Sequence, residues 1–122
     1  MTEYLLGILY HEPKTWALYQ KGIVEDCESS TGVFIAASSP ESAIEWGEKI
    51  AEALLRKVNS DETLDWKGLG YYCWLEESPS TSHWKHCLPF FQHVKTGEWP
   101  NFEAMGNLAY TEWAKNNGIK YA

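Results

Sequence analysis

TGVFIAASSPESAIEWGEKIAEALLRKV, residues 31–58, couples an apolar stretch to a helix-coded one, and the rest of the chain must be arranged around that pair. Its first seven residues are mostly β-branched, aromatic or small, which predicts a strand over residues 31–37. Ser39 can then accept from the free amides of a first helical turn. Pro40 suits the first helical position, where its missing N–H costs no bond. Ser38 with Glu41 offers a competing capping-box frame one residue earlier. From there Ala43, Ile44, Gly47, Ile50, Ala51, Leu54, Leu55 and Val58 recur at helical spacing. Glu45 with Lys49 and Glu52 with Arg56 stand four apart in the favourable order, acid before base. A helix over residues 40–57 follows.

Towards the N-terminus, residues 4–10 (YLLGILY) are apolar at nearly every position, as in a central strand covered on both faces. Pro13 ends that strand. Residues 15–19 (TWALY) predict a second strand antiparallel to the first, followed by a polar loop over residues 20–30. Towards the C-terminus, Asn59, Ser60, Asp61 and Glu62 break the helix. Residues 69–76 (LGYYCWLE) suit a fourth strand, with Tyr72 and Trp74 on one face and Tyr71 and Cys73 on the other. Turn formers over residues 77–82 lead out of it. Pro89 can start a short helix that Gly97 ends. Asn101, after Pro100, is placed to cap a helix over residues 102–116, with Phe102, Met105, Leu108, Ala109 and Trp113 inward and Gly118 as terminator. The order β-β-β-α-β-(α)-α predicts an α+β fold. Its sheet is small and mostly antiparallel, with about four strands and two main helices packed on one face. A ferredoxin-like arrangement is one topology that satisfies it.

At 122 residues, with 44% hydrophobic and 22% charged residues, the chain is expected to form a single globular domain over residues 1–122. The N-terminal residues lack the basic start of a signal peptide, and no apolar run reaches the ~20 residues that span a bilayer. Cys27, Cys73 and Cys87 are an odd set at irregular spacing, which reads as reduced thiols and a cytoplasmic setting. A formal charge of −7, from 17 acidic and 10 basic residues, disfavours nucleic acid and anionic membranes as partners. It is compatible with a basic protein.

Seven Trp, seven Tyr and four Phe make 15% of the chain, more large rings than one small core fully buries. They are dense over residues 66–99, where Trp66, Tyr71, Tyr72, Trp74, Trp84 and Trp99 alternate with Asp65, Glu76, Glu77 and Glu98. Rigid rings with an acidic rim suit protein binding, and Trp66, Trp74, Glu76, Glu77, Trp84 and Trp99 are the candidate contact residues. The competing reading is that alternate rings simply face the core.

Chemistry has thinner support. Cys73, His83, Cys87 and His93 contain zinc-type donors, and His83 with Cys87 would share a helix face, but the spacing matches no compact zinc pattern. Cys87 with His83 or His93 could form a nucleophile and base, without a signature to fix the geometry. Cys27 between Asp26 and Glu28 is a poor nucleophile, since neighbouring negative charge disfavours a thiolate. Asp61, Glu62, Asp65, Glu76 and Glu77 lie in segments where carboxylates are ordinarily solvated. No phosphate-cradling glycine loop, nucleophile elbow, His-Glu-x-x-His or calcium loop occurs. The sequence therefore favours a small acidic, non-enzymatic protein-binding module without cofactor, an inhibitor or immunity-type protein for a basic partner. Homo-oligomerisation is compatible with the same composition. The alternatives are a small enzyme or metal-binding domain built on His83, His86, Cys87 and His93, or a domain enclosing an apolar ligand with its surplus rings.

Overall fold

A computed structural model describes residues 1–10, 29–68, 71–81 and 84–118. In chain order the elements are β1 (Thr2–Tyr10), β2 (Ser29–Ala37), α1 (Pro40–Val58), β3 (Cys73–Glu76), β4 (Gln92–Lys95) and α2 (Asn107–Asn116). Short 3-10 turns lie at Pro79–Thr81, Leu88–Phe90 and Phe102–Ala104. The four strands form one sheet in the order β3-β1-β2-β4. β1 is antiparallel to both β2 and β3, while β4 runs parallel to β2. This is a mixed, mostly antiparallel sheet in an α+β fold. The strand expected over residues 15–19 and the loop over 20–30 lie outside the described residues, except for Ser29 and Ser30 at the start of β2.

β1 is central because it is apolar on both faces. Leu6, Ile8 and Tyr10 face one side with Val33, Ile35 and Ala37 of β2, and α1 closes that side with Ala43, Ile50, Ala51, Leu54 and Leu55. Full burial of the Leu, Ile and Val side chains among these stabilises by about 1.5–3 kcal/mol each. α1 begins where its cap residues put it, with Ser39 Oγ accepting from the Ser42 amide at 3.1 Å. Gly47 lets the helix lie close, since a β-carbon there would stand 2.7 Å from Leu6.

The opposite face carries Leu5, Phe34 and Trp74, covered by Trp84, Cys87 and Phe91. Gly7 and Gly32 are paired across β1 and β2 and leave a trough there. The Trp74 ring lies over Gly7 and the Phe91 ring over Gly32, each inside the space of a β-carbon. α2 contributes to this second cluster. Its Tyr110 and Trp113 rings meet Phe90 at 5.4 and 5.6 Å, on the side of this second cluster.

Three boundaries differ from the sequence expectation. Among the described residues of the span expected for the fourth strand, Cys73–Glu76 form it, and residues 69–70 lie outside the described residues. The short helix expected between Pro89 and Gly97 is a 3-10 turn followed by β4, and Gly97 turns the chain out of β4 at φ 95°. Asn101 does cap, accepting from the Glu103 amide at 3.1 Å, but it caps only the Phe102–Ala104 turn. Gly106 at φ 96° then breaks the path, and α2 starts at Asn107.

Candidate functional site

The contact residues expected from sequence separate into three environments. Trp66 and Trp84 are core residues, and their assignment to a partner surface is corrected. Trp66 is 1% exposed, with its Nε1–H donating to the Leu9 carbonyl at 2.8 Å. It arrives there because residues 64–67 are strapped to α1, by Arg56 Nε on the Leu64 carbonyl at 2.8 Å and Lys67 on Glu48 at 3.0 Å. Trp84 is 9% exposed and packs between Trp74 and Phe91, with ring centroids at 5.5 and 5.1 Å.

Trp74, Glu76 and Glu77 stay together at the end of the sheet. β3 alternates as the sequence requires, so Tyr71 and Cys73 enter the α1-side core while Trp74 belongs to the second face. Tyr72, just ahead of the strand, packs on Trp74 at 6.0 Å and is 58% exposed. Trp74 is half-buried, and its Nε1–H points at Glu76 Oε2, 3.5 Å away. Glu77 beside them is exposed. An exposed ring packed on a half-buried one thus stands at the sheet edge with the Glu76 carboxylate, and exposed Glu77 follows in the chain. Tyr72 is not among the contact residues expected from sequence, although its two-residue spacing from Trp74 is the signal that puts both rings on one face.

Trp99 is 55% exposed but belongs to a different patch. It leans on Trp46 at 4.7 Å and Phe102 at 6.0 Å, and Trp46 Nε1–H holds the Glu98 carbonyl at 2.9 Å. Lys57 lies over the Phe102 ring at 5.8 Å, so this patch already carries a cation of its own. A hollow of about 130 Å³ between Ser42, Glu45, Trp46, Lys49 and Thr96 lies beside it.

The zinc-type donors are not assembled. Cys73 faces α1, where its thiol lies 3.9 Å from the Ile44 carbonyl, whereas Cys87 lies in the cluster on the other face. A ligand set containing both is therefore corrected: the sheet stands between them. His93 stacks flat on Phe34 at 4.5 Å and meets Glu3 at 2.7 Å, His86 is exposed, and His83 lies outside the described residues. Among the described residues no three His, Cys, Asp or Glu side chains are placed to share a metal ion. The Cys87 thiol donates to the Trp84 carbonyl at 3.2 Å, and burial pushes its pKa up, opposite to what an activated nucleophile needs. Asp61 accepts from Thr63 Oγ1 at 2.6 Å and from the Thr63 amide at 2.9 Å. These bonds hold its carboxyl below the usual value and make it a turn residue.

Two larger hollows, of about 710 and 280 Å³, are lined mainly by charged side chains of α1 and the segment after it, such as Arg56, Lys57 and Glu62 or Glu45, Glu48 and Glu52. Trp66 is the one described ring that borders either of them, at the smaller. No helix among the described residues is long and apolar enough to cross a membrane. No protein-family model, curated protein or solved structure matches this chain.

Proposed function

We propose that this chain is a non-enzymatic binding module that engages a basic protein through Tyr72, Trp74, Glu76 and Glu77, as an inhibitor or immunity-type protein working in the cytoplasm. The observation that carries the reading is an exposed ring, Tyr72, held against a half-buried one, Trp74, with carboxylates alongside. A ring already fixed by packing loses little freedom on binding, which is what an interface anchor needs. The excess of 17 acidic over 10 basic residues adds a long-range field that attracts a basic partner. The unpaired Cys73 and Cys87 suit a reducing compartment.

The test uses the partner purified with the chain from its source cells, with association and dissociation rates measured separately. Added salt should slow association of the parent, and Glu76→Lys with Glu77→Lys should slow it at low salt while leaving it less sensitive to salt. Tyr72→Ala should instead speed dissociation and cost at least about 2 kcal/mol of affinity. Binding indifferent to salt and to all three substitutions would place the interface elsewhere.

A further inference from the structure

We infer that the outer edge of β3 takes up an extended, basic segment of the partner as an added strand, an inference that rests on the surface proposed above. The register of β1 and β3 decides which backbone groups face outward. The Leu9 amide donates to the Tyr72 carbonyl, and Leu9 stands opposite Tyr72 in the frame that pairs Gly7 with Trp74 and Leu5 with Glu76. In an antiparallel ladder these are the hydrogen-bonded pairs, so Tyr72, Trp74 and Glu76 turn their N–H and C=O groups towards β1. Cys73 and Leu75 turn theirs the other way. Among the described residues β3 has β1 as its one strand neighbour, and no described backbone group bonds to that outer side. Edge groups of this kind, without a partner strand among the described residues, are templates for strand addition.

The side chains beside the edge specify what would pair there. An arriving strand alternates its own side chains between two faces. On one face it meets Tyr72 and Glu76, an exposed ring and a carboxylate that suit lysine or arginine, while the Trp74 ring behind them leans inward over Gly7. On the other it meets Leu75, Cys73 and Ile44, which are half-buried and apolar, with the Glu48–Lys67 ion pair close to Cys73. The segment that fits alternates basic and apolar residues. A second copy of this chain fits poorly, since it would bring its own Glu76 and Glu77 to the same edge.

The probe is a short peptide alternating lysine and valine, with a glutamate–valine peptide as control, added to the intact chain while amide exchange is followed by NMR. Free Cys73 and Leu75 amides should exchange fast, and the lysine peptide should slow both at least about tenfold. Slow exchange of both in the free protein, no change with the lysine peptide, or equal protection from the glutamate peptide would each overturn strand addition. Leu75→Pro removes an outward N–H while sparing the ladder to β1. It should lower peptide affinity at least about tenfold, with β1 and β2 amides still protected. Leu75→Ala, which keeps the N–H, separates loss of the amide from loss of the side chain. If Leu75→Pro binds normally while Glu76→Lys with Glu77→Lys weakens binding, strand addition falls and the basic-partner surface stands. If none of these changes matters, both fall.

Discussion

Cys73 shows how one residue's chemistry is set by the face it is given. Alternation along β3 turns its thiol into the layer between sheet and helix, near the Ile44 carbonyl and the Glu48 carboxylate. Burial, with Glu48 adding to it, pushes the thiol from its ordinary 9.0 up to about 11. The unfolded chain therefore gives up this proton first. The resulting stabilisation is complete below pH 9 and is lost as pH rises to about 11. Unfolding experiments should show the stability advantage of the parent over Cys73→Ala shrinking across that window and constant below it. A constant difference up to pH 11 would mean that the thiol is solvated. Alkylation at neutral pH should likewise be much slower in the folded chain than in denaturant.

Among the elements, α1 was the most legible, because its signals are local: Ser39 and Pro40 at the start, the apolar stripe, and Glu52 paired with Arg56 at 3.1 Å. Its end is equally local. The Ser60 amide donates to Lys57 and the Asp61 amide to Arg56, at 3.2 and 3.0 Å, with Ser60 left-handed at φ 50°. This is the six-residue helix stop usually closed by glycine. Ser60→Gly should raise stability by about 0.5–1 kcal/mol, the left-handed penalty less the extra chain entropy that glycine loses. An unchanged or lower denaturant midpoint would argue against the strain. β1 and β2 were legible from their apolar runs. β4 was not: Gln92–Lys95 holds a single buried residue, Val94, and pairs with a strand distant in sequence. The start of the last helix is not legible, because Phe102 and Met105 keep helical spacing across a break that Gly106 makes.

For the whole molecule, the decisive fact is that both faces of the sheet are covered, one by a helix and the other by a layer of rings. Aromatic excess was plain in the sequence, but its division into core and surface was not. Trp66 is strapped inward by polar contacts to α1, and Trp84 is buried by a segment of turns without periodicity, so neither leaves a pattern along the chain. Ring contacts run from exposed Tyr72 through Trp74 and Trp84 to Phe91, Phe90 and Tyr110, so position along this layer decides what each ring does. Trp84→Ala should cost about 3–5 kcal/mol through lost burial and a cavity, and Trp66→Ala as much, with the Leu9 carbonyl left without its indole donor. Tyr72→Ala removes a ring mostly in water and should shift stability by no more than about 0.5 kcal/mol. Trp99→Ala belongs with Tyr72 by exposure, although contacts with Trp46 and Phe102 raise its expected cost to about 1 kcal/mol. Denaturant midpoints of the four variants should therefore fall into two groups, with Trp66 and Trp84 far below Tyr72 and Trp99. Midpoints of Tyr72→Ala as low as those of Trp84→Ala would make Tyr72 a packing residue, and would remove the ring on which the proposed surface depends.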